Sequence, residues 1–365
     1  MRITHISTVH PRFDTRIFLK ECAALRDSGF EVHLIVADGL GDETRDRINI
    51  HDVGRASDRL QRMTVLPSRA MRKARELAPS IAHFHDAELL PAIMWLNRSG
   101  IATIYDAHED LPRAILSKQW LKPWSRRPVG FAMEYVEDFC ARRMSAIVGA
   151  TPHIARRFSK IHDRVVEVYN YPDLPRGPKV ERKPEPATFC YVGAITRHRG
   201  IAEMVTATGL AGTRLLLAGR FVDARLEAEI SSMPEWANVE CFGSVDHSEI
   251  WKIMSRSQAG LLFFHPEPNH INAQPNKMFE YMAGGLPVLC SDFEEWQRIV
   301  SREEVGLVCN PLDAQAIANL MRELVDDPAR AKNMGKRARQ LIDERYRWDR
   351  EAEKLVDLYR QFVPG

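Results

Sequence analysis

Short β-rich runs alternate with helical stretches along almost the whole chain, and this alternation constrains the fold more than any other feature. In the first half RITHIS, VHLIVAD, IAHFHD, IATIYDA and SAIVGA read as strands. Between them lie helical segments such as ELLPAIMWLNRSG and an amphipathic helix over about residues 13–28. Strands separated by helices build βαβ units and a parallel sheet. The rhythm breaks at DLPRGPKVERKPEP, residues 173–186, whose prolines and charges are those of a linker. It then restarts with TFCYVGAI, TRLLLAG, NVECFG, AGLLFF and LPVLCS. The expectation is two doubly wound α/β domains: residues 1–172, a hinge over 173–186, a second domain over 187–346, and a terminal helix over 347–365 that can return to the first domain. Ligands of such sheets bind outside the carboxyl ends of the strands, here expected to be at a central cleft between the domains.

Composition narrows the partners. The chain has 365 residues, enough for two domains, and its net charge is only +2, which gives no field for nucleic acid. Six scattered cysteines show no C-x-x-C and no framework spacing, so they read as small buried hydrophobes. The first residues, MRITHISTVHPRFD, lack the apolar core of a signal peptide, and no run approaches about 18 apolar residues. A reduced, soluble, cytoplasmic protein is expected.

Neither G-x-G-x-x-G nor G-x-x-x-x-G-K-[ST] occurs, which argues against dinucleotide and P-loop chemistry. Two other stretches carry cations where an anion is wanted. In NAQPNKMFEYMAGGLPVL, residues 272–289, a proline opens a helix whose first turn holds Asn276 and Lys277. The helix dipole disfavours a lysine there unless an anion is bound. In YVGAITRHRG, residues 191–200, a strand ends at Gly193 and Arg197 and Arg199 follow. Forked guanidiniums at a strand's carboxyl end suit a diphosphate, and the pattern gains force if this loop meets the Lys277 helix.

These motifs, with FGSV at 242–245 and VGLVCNPLD at 305–313, resemble the carboxyl domain of family 4 glycosyltransferases. FDTRIFLKECAALRDSGFEVHLI and IYDAHED resemble the amino domain, so the resemblance covers nearly the whole chain. It implies a GT-B fold and a retaining sugar transfer from a nucleotide diphosphate donor, without a bound metal or other cofactor. Glu280 matches the second acid of the family's Glu-x7-Glu motif, which holds the donor ribose, and a carboxylate can accept both hydroxyls of a vicinal diol. The first acid is replaced by Asn272, whose amide can still hydrogen-bond the transferred sugar. Arg199 stands where the family has a phosphate-binding lysine. Ala194 stands where it has a partner arginine, with Arg197 or Lys277 as the compensating cation. Val245 matches the turn whose main chain reads the nucleobase. His108 of YDAHED matches the family's active-site histidine, which faces the donor sugar. In the first loop, STVHPRFDTR, Arg16 matches the family arginine, while Arg12 and Phe13 replace the usual two glycines. That change implies a narrower acceptor site.

The catalytic set expected on this basis is His108, Arg199 and Lys277, with Gly193, Arg197, Val245, Asn272, Asn276 and Glu280 on the donor. The donor is a UDP- or GDP-sugar, and the acceptor a saccharide or lipid-linked molecule of cell-surface polysaccharide or glycoconjugate synthesis. A sugar-nucleotide epimerase and a non-catalytic nucleotide-sugar-binding protein are the alternatives. His83 and His85 share one face of a strand; without a third ligand at suitable spacing they read as core histidines and no metal is assigned. SKQWLKPWSRRPVG, residues 117–130, interleaves Trp120 and Trp124 with Lys118, Lys122, Arg126 and Arg127. Together with RAMRKAR at 69–75 it suits peripheral attachment to an anionic membrane. A surface loop whose tryptophans pack on its own domain is the other reading.

Overall fold

The computed structural model describes residues 1–97, 99–116, 121–173 and 182–362. The chain divides into two compact units, one formed by Met1–Asn170 and the segment from Trp348 onward, the other by Tyr171–Arg347.

The first unit is built on an eight-stranded sheet: β1 (Arg2–Ile6), β2 (Glu31–Val36), β3 (Glu43–Arg45), β4 (Ile48–Asp52), β5 (Ile81–Phe84), β6 (Ala102–Ala107), β7 (Ala146–Gly149) and β8 (Val165–Glu167). The spatial order is β3-β4-β2-β1-β5-β6-β7-β8, parallel except for β3, which runs antiparallel at the edge. The order reverses between β1 and β5, where His5 stands in register with His83. Ile3, Leu34, Ile81, Ile104 and Val148 face the helical segment around Phe18 and the last helix, Trp348–Arg360. Ile6, Ile35, Phe84, Tyr105 and Ile147 face the helices Arg59–Leu77 and Leu90–Asn97 on the other side. The strands β3, β4 and β8 lie outside the runs read from the sequence: β3 and β8 are only three residues long, and β4, INIHD, holds just two apolar residues. The helix expected from about residue 13 begins only at Ile17, first as a π-helical turn, Ile17–Cys22, then as α-helix, Ala23–Asp27. The reason is local: Asp14 Oδ1 accepts from the amides of Arg16 and Ile17, so residues 14–17 make a turn that starts the helix late.

The second unit has six parallel strands: β9 (Thr188–Val192), β10 (Arg214–Ala218), β11 (Val239–Gly243), β12 (Ala259–Leu262), β13 (Val288–Ser291) and β14 (Gly306–Cys309). Their order is β11-β10-β9-β12-β13-β14, so the winding reverses between β9 and β12. Phe189, Tyr191, Leu217, Leu261 and Leu289 form its core with Met204, Ile317 and Met321. A hinge is expected over 173–186. Residues 174–181 lie outside the described residues, but Arg182 donates to the carbonyls of Gly285 and Ser257, and Glu185 pairs with Arg256 and Arg214. Forked guanidinium contacts to buried carbonyls fasten this end of the proline-rich stretch to the second unit.

At the reversal point the strands part. β12 pairs with β9 only at Phe189 and Cys190. Farther along, the Val192 amide donates to the Tyr281 hydroxyl at 3.0 Å, and that hydroxyl donates to the Leu261 carbonyl at 3.4 Å. A buried side chain thus replaces the missing ladder bond. Tyr281 lies against Gly260, where an added Cβ would stand 2.4 Å from its ring. Tyr281→Phe leaves a buried strand amide without an acceptor and should destabilise the protein by about 1–3 kcal/mol. Urea denaturation of the variant reads that loss; an unchanged midpoint would mean the amide finds another partner.

Candidate functional site

In the second unit the loop after β9 and the helix Asn276–Ala283 converge. Lys277 and Tyr281 are four residues apart and therefore share the helix face turned to β9. Tyr281 is fixed by its bonds to Val192 and Leu261, so Lys277 is carried to the strand's end. There it lies directly over Gly193, whose φ is +125°; a Cβ at this position would stand 2.1 Å from Lys277 Cε and 2.2 Å from Nζ. Only glycine permits the approach. Gly200 does the same for the loop's far end, with φ +70° and an imagined Cβ 2.0 Å from the Phe263 carbonyl oxygen. Between the two glycines, Arg199 reaches over the Phe264 ring at 5.4 Å and donates to the Ala194 carbonyl at 3.2 Å.

The electrostatics are one-sided. Burial, reinforced by the charge of Arg199, brings the Lys277 ammonium down to about 8, and Glu280 only partly offsets this. Among the described residues neither Lys277 nor Arg199 forms an ion pair. The helix begins at Pro275 with no side-chain cap and no acid in its first turn; the Met278 amide donates to the Pro275 carbonyl at 3.0 Å, and no side chain caps the amides of Asn276 and Lys277. Two cations and a helix N-terminus at the carboxyl ends of β9 and β12, where the winding reverses, make a site for a polyanion.

The remaining donor-side residues are placed unevenly. Glu280 is half-buried on the same helix, and Asn276 is its exposed first residue. Asn272 is half-buried in the segment before it, which Trp296 anchors by donating Nε1–H to the Ala273 carbonyl at 2.7 Å. Val245 follows the end of β11, one residue before the helix cap Asp246. Arg197 is not part of the convergence: its guanidinium is exposed and paired with Glu229. Sequence reading missed Tyr281 as the fixing residue, although its four-residue offset from Lys277 was there to see.

In the first unit His108 follows β6 and is partly exposed. Its Nε2 lies 3.0 Å from Asp106 Oδ2 and 3.1 Å from His85 Nδ1. Asp106 is fully buried; burial pushes its carboxyl up, but Arg16 and His108 outweigh this and hold it well below the usual range. Arg16 grips Asp106 with two bonds of 3.0 Å and donates to the Val168 carbonyl. Arg12 is likewise committed, to Asp38 at 2.6 and 2.7 Å and to Glu43 at 3.0 Å. Both arginines, read from the sequence as acceptor-side residues, are therefore buried in ion pairs that order the first loop. Phe13 stays 37% exposed, beneath the Arg45 guanidinium and edge-on to Phe18. Asp106, two residues before His108 in YDAHED, was not singled out from the sequence.

Two family models match in tandem, Glycosyltransferase Family 4 over residues 15–176 and Glycosyl transferases group 1 over residues 177–341. A glycogen synthase of Mycobacterium tuberculosis is 22% identical over 303 residues, 78% of this chain and 69% of the relative. A GDP-mannose-dependent phosphatidylinositol monomannoside mannosyltransferase of the same species is 32% identical over 81 residues, 22% of this chain and 21% of its own. Among solved structures, a sucrose-phosphate synthase of Thermosynechococcus elongatus superposes with a TM-score of 0.82 at 19% identity, covering 99% of this chain and 98% of that one. The Anabaena protein HepE, solved with UDP-glucose, gives 0.75 at 14% identity, covering 99% and 100%. With the two family models matched in order over residues 15–176 and 177–341, the chain belongs to the family 4 glycosyltransferases.

Proposed function

We propose that the protein moves a sugar, with retention of anomeric configuration, from a UDP- or GDP-sugar to a saccharide or lipid-linked acceptor of cell-surface polysaccharide synthesis. The observation that carries this reading is the pair of cations, Lys277 and Arg199, converging without an acid at an uncapped helix start. As the bond between the anomeric carbon and the phosphate oxygen breaks, charge grows on the diphosphate, and preorganised cations there act on the transition state more than on the ground state. The acceptor hydroxyl attacks the same face and passes its proton to the departing phosphate oxygen. Glu280 accepts from the ribose diol, Asn272 bonds the sugar hydroxyls through its amide, and main chain near Val245 meets the base. His108, oriented by Asp106, bonds the donor sugar. Phe13, with the loop ordered by Arg12 and Arg16, faces the acceptor. The diphosphate needs no metal in this scheme, because basic side chains and the helix supply the positive charge. HepE, a neighbour in fold, was captured with UDP-glucose, which agrees with a nucleotide-sugar donor.

A membrane-bound acceptor is favoured by the helix Pro123–Ala141. Trp124, Phe131 and Tyr135 are 76%, 72% and 73% exposed and lie on one helix face, with Lys122 and Arg127 exposed beside its start. This rules out packing of Trp124 against its own unit; Lys118 and Trp120 lie outside the described residues. No described helix is long and apolar enough to cross a membrane, so attachment would be to the surface.

Lys277→Ala should weaken nucleoside diphosphate binding by about 1.5–3 kcal/mol, roughly ten- to a hundredfold, with much of the loss in turnover. Glu280→Gln should weaken UDP or GDP binding and leave turnover at saturation nearly unchanged. Calorimetry and initial rates separate these, and unchanged values in both variants would sink the diphosphate site. The pH dependence has a definite sign. A bound diphosphate raises the Lys277 pKa above its free value of about 8, so affinity is full below that pH and falls as pH rises through it. Lys277→Ala should abolish the slope, and brief EDTA treatment should leave affinity as it was.

Co-sedimentation with anionic vesicles should drop when Trp124, Phe131 and Tyr135 become serine, and should weaken with salt. Binding that ignores both changes would leave the aromatic face without a lipid role.

A further inference from the structure

On the inner face of β1 and β5 a second chemical centre lies wholly inside the first unit. His5, His83, His85 and Glu21 are all buried, and each offers one ligand atom within 4.8 Å of the other three. His5 and His83 are register partners, and His85 follows two residues later on the same face. Glu21 comes from the π-helical turn Ile17–Cys22, a distortion often found at functional sites.

The ring nitrogens turned away from this centre are already held. His83 Nδ1 lies 2.6 Å and His5 Nε2 3.1 Å from the Tyr359 hydroxyl, and His85 Nδ1 lies 3.3 Å from Asp106 Oδ2. Outer partners of this kind fix the tautomer of histidines that bind metal through the other nitrogen. The nitrogens turned inward are less settled. His5 Nδ1 and His85 Nε2 face each other at 2.9 Å, and His83 Nε2 and both Glu21 oxygens have no hydrogen-bond partner, although Arg16 Nε stands 2.8 Å from Glu21 Oε1.

We propose that His5, His83, His85 and Glu21 bind a zinc-class divalent cation, a structural ion that ties β1, β5 and the π-helical turn together. Three imidazoles and one carboxylate are a four-coordinate set suited to zinc, with no open position for substrate. The site is independent of the diphosphate reading, which concerns the second unit. The competing occupant is a proton on Glu21, whose carboxyl burial and Asp106 push up.

Elemental analysis of the untagged full chain, produced with zinc in the medium and passed over chelating resin, should find about one equivalent of zinc. Glu21→Gln and His83→Ala should lose most of it, whereas His51→Ala, in the separate His33–His51 pair, should keep it. Should the core variants fail to fold, wild-type protein stripped by a chelator at moderate denaturant and refolded decides the matter. Added zinc should raise its melting temperature, and added cobalt should give the visible absorption of a tetrahedral nitrogen–oxygen site. Zinc-free wild-type protein whose melting is indifferent to either metal would overturn the proposal, as would zinc retained in both core variants.

Discussion

Lysine 277 is pressed onto a backbone that has no side chain to resist it, and much of the second unit is arranged around that contact. The parting of β9 from β12 frees a strand amide, Tyr281 takes that amide, and the helix is thereby set at the height that brings Lys277 over Gly193. With Arg199 nearby and no acid opposite, the cost of crowding two cations is borne by the fold in the absence of a ligand. Such a site is held ready by packing, so that binding an anion relieves repulsion while requiring little rearrangement.

The first unit solves the opposite problem. It buries the Asp106 carboxylate between Arg16 and His108, and a file of imidazoles runs from Tyr359 through His5 and His85 to that same His108. His108 is the outer end of that chain, so its orientation depends on residues from β1, β5 and β6 together with Arg16. A change at any of these should reach His108 through hydrogen bonds rather than through a change of fold.

Fold class was legible because βαβ rhythm is a pattern of whole segments. Runs such as TRLLLAG and IATIYDA are apolar enough to be strands wherever they fall, and the winding follows from connection rules. Edge strands such as Glu43–Arg45 were not legible, since a short strand paired on one side needs no apolar run. The same contrast holds at the site. Lys277 and Arg199 could be found because a cation in a first helical turn or at a strand's end calls for an explanation. Arg12, Arg16 and Arg197 carried the same local signal, yet their partners Asp38, Asp106 and Glu229 lie 26 or more residues away on other elements, and no local pattern reveals them. The histidine cluster failed for a related reason: its third and fourth members come from β1 and the turn after it, brought beside His83 only by strand order.

The last helix, Trp348–Arg360, has a bearing on how the protein is made. It packs on the first unit and sends the Tyr359 hydroxyl between His5 and His83, yet the ribosome delivers it only after the entire second unit. Through that interval the part of the first sheet that this helix covers waits without it, while Tyr171–Arg347 can already close its own core. Vectorial synthesis ordinarily completes the leading domain first. Here the order is inverted: the half begun first is the half finished last.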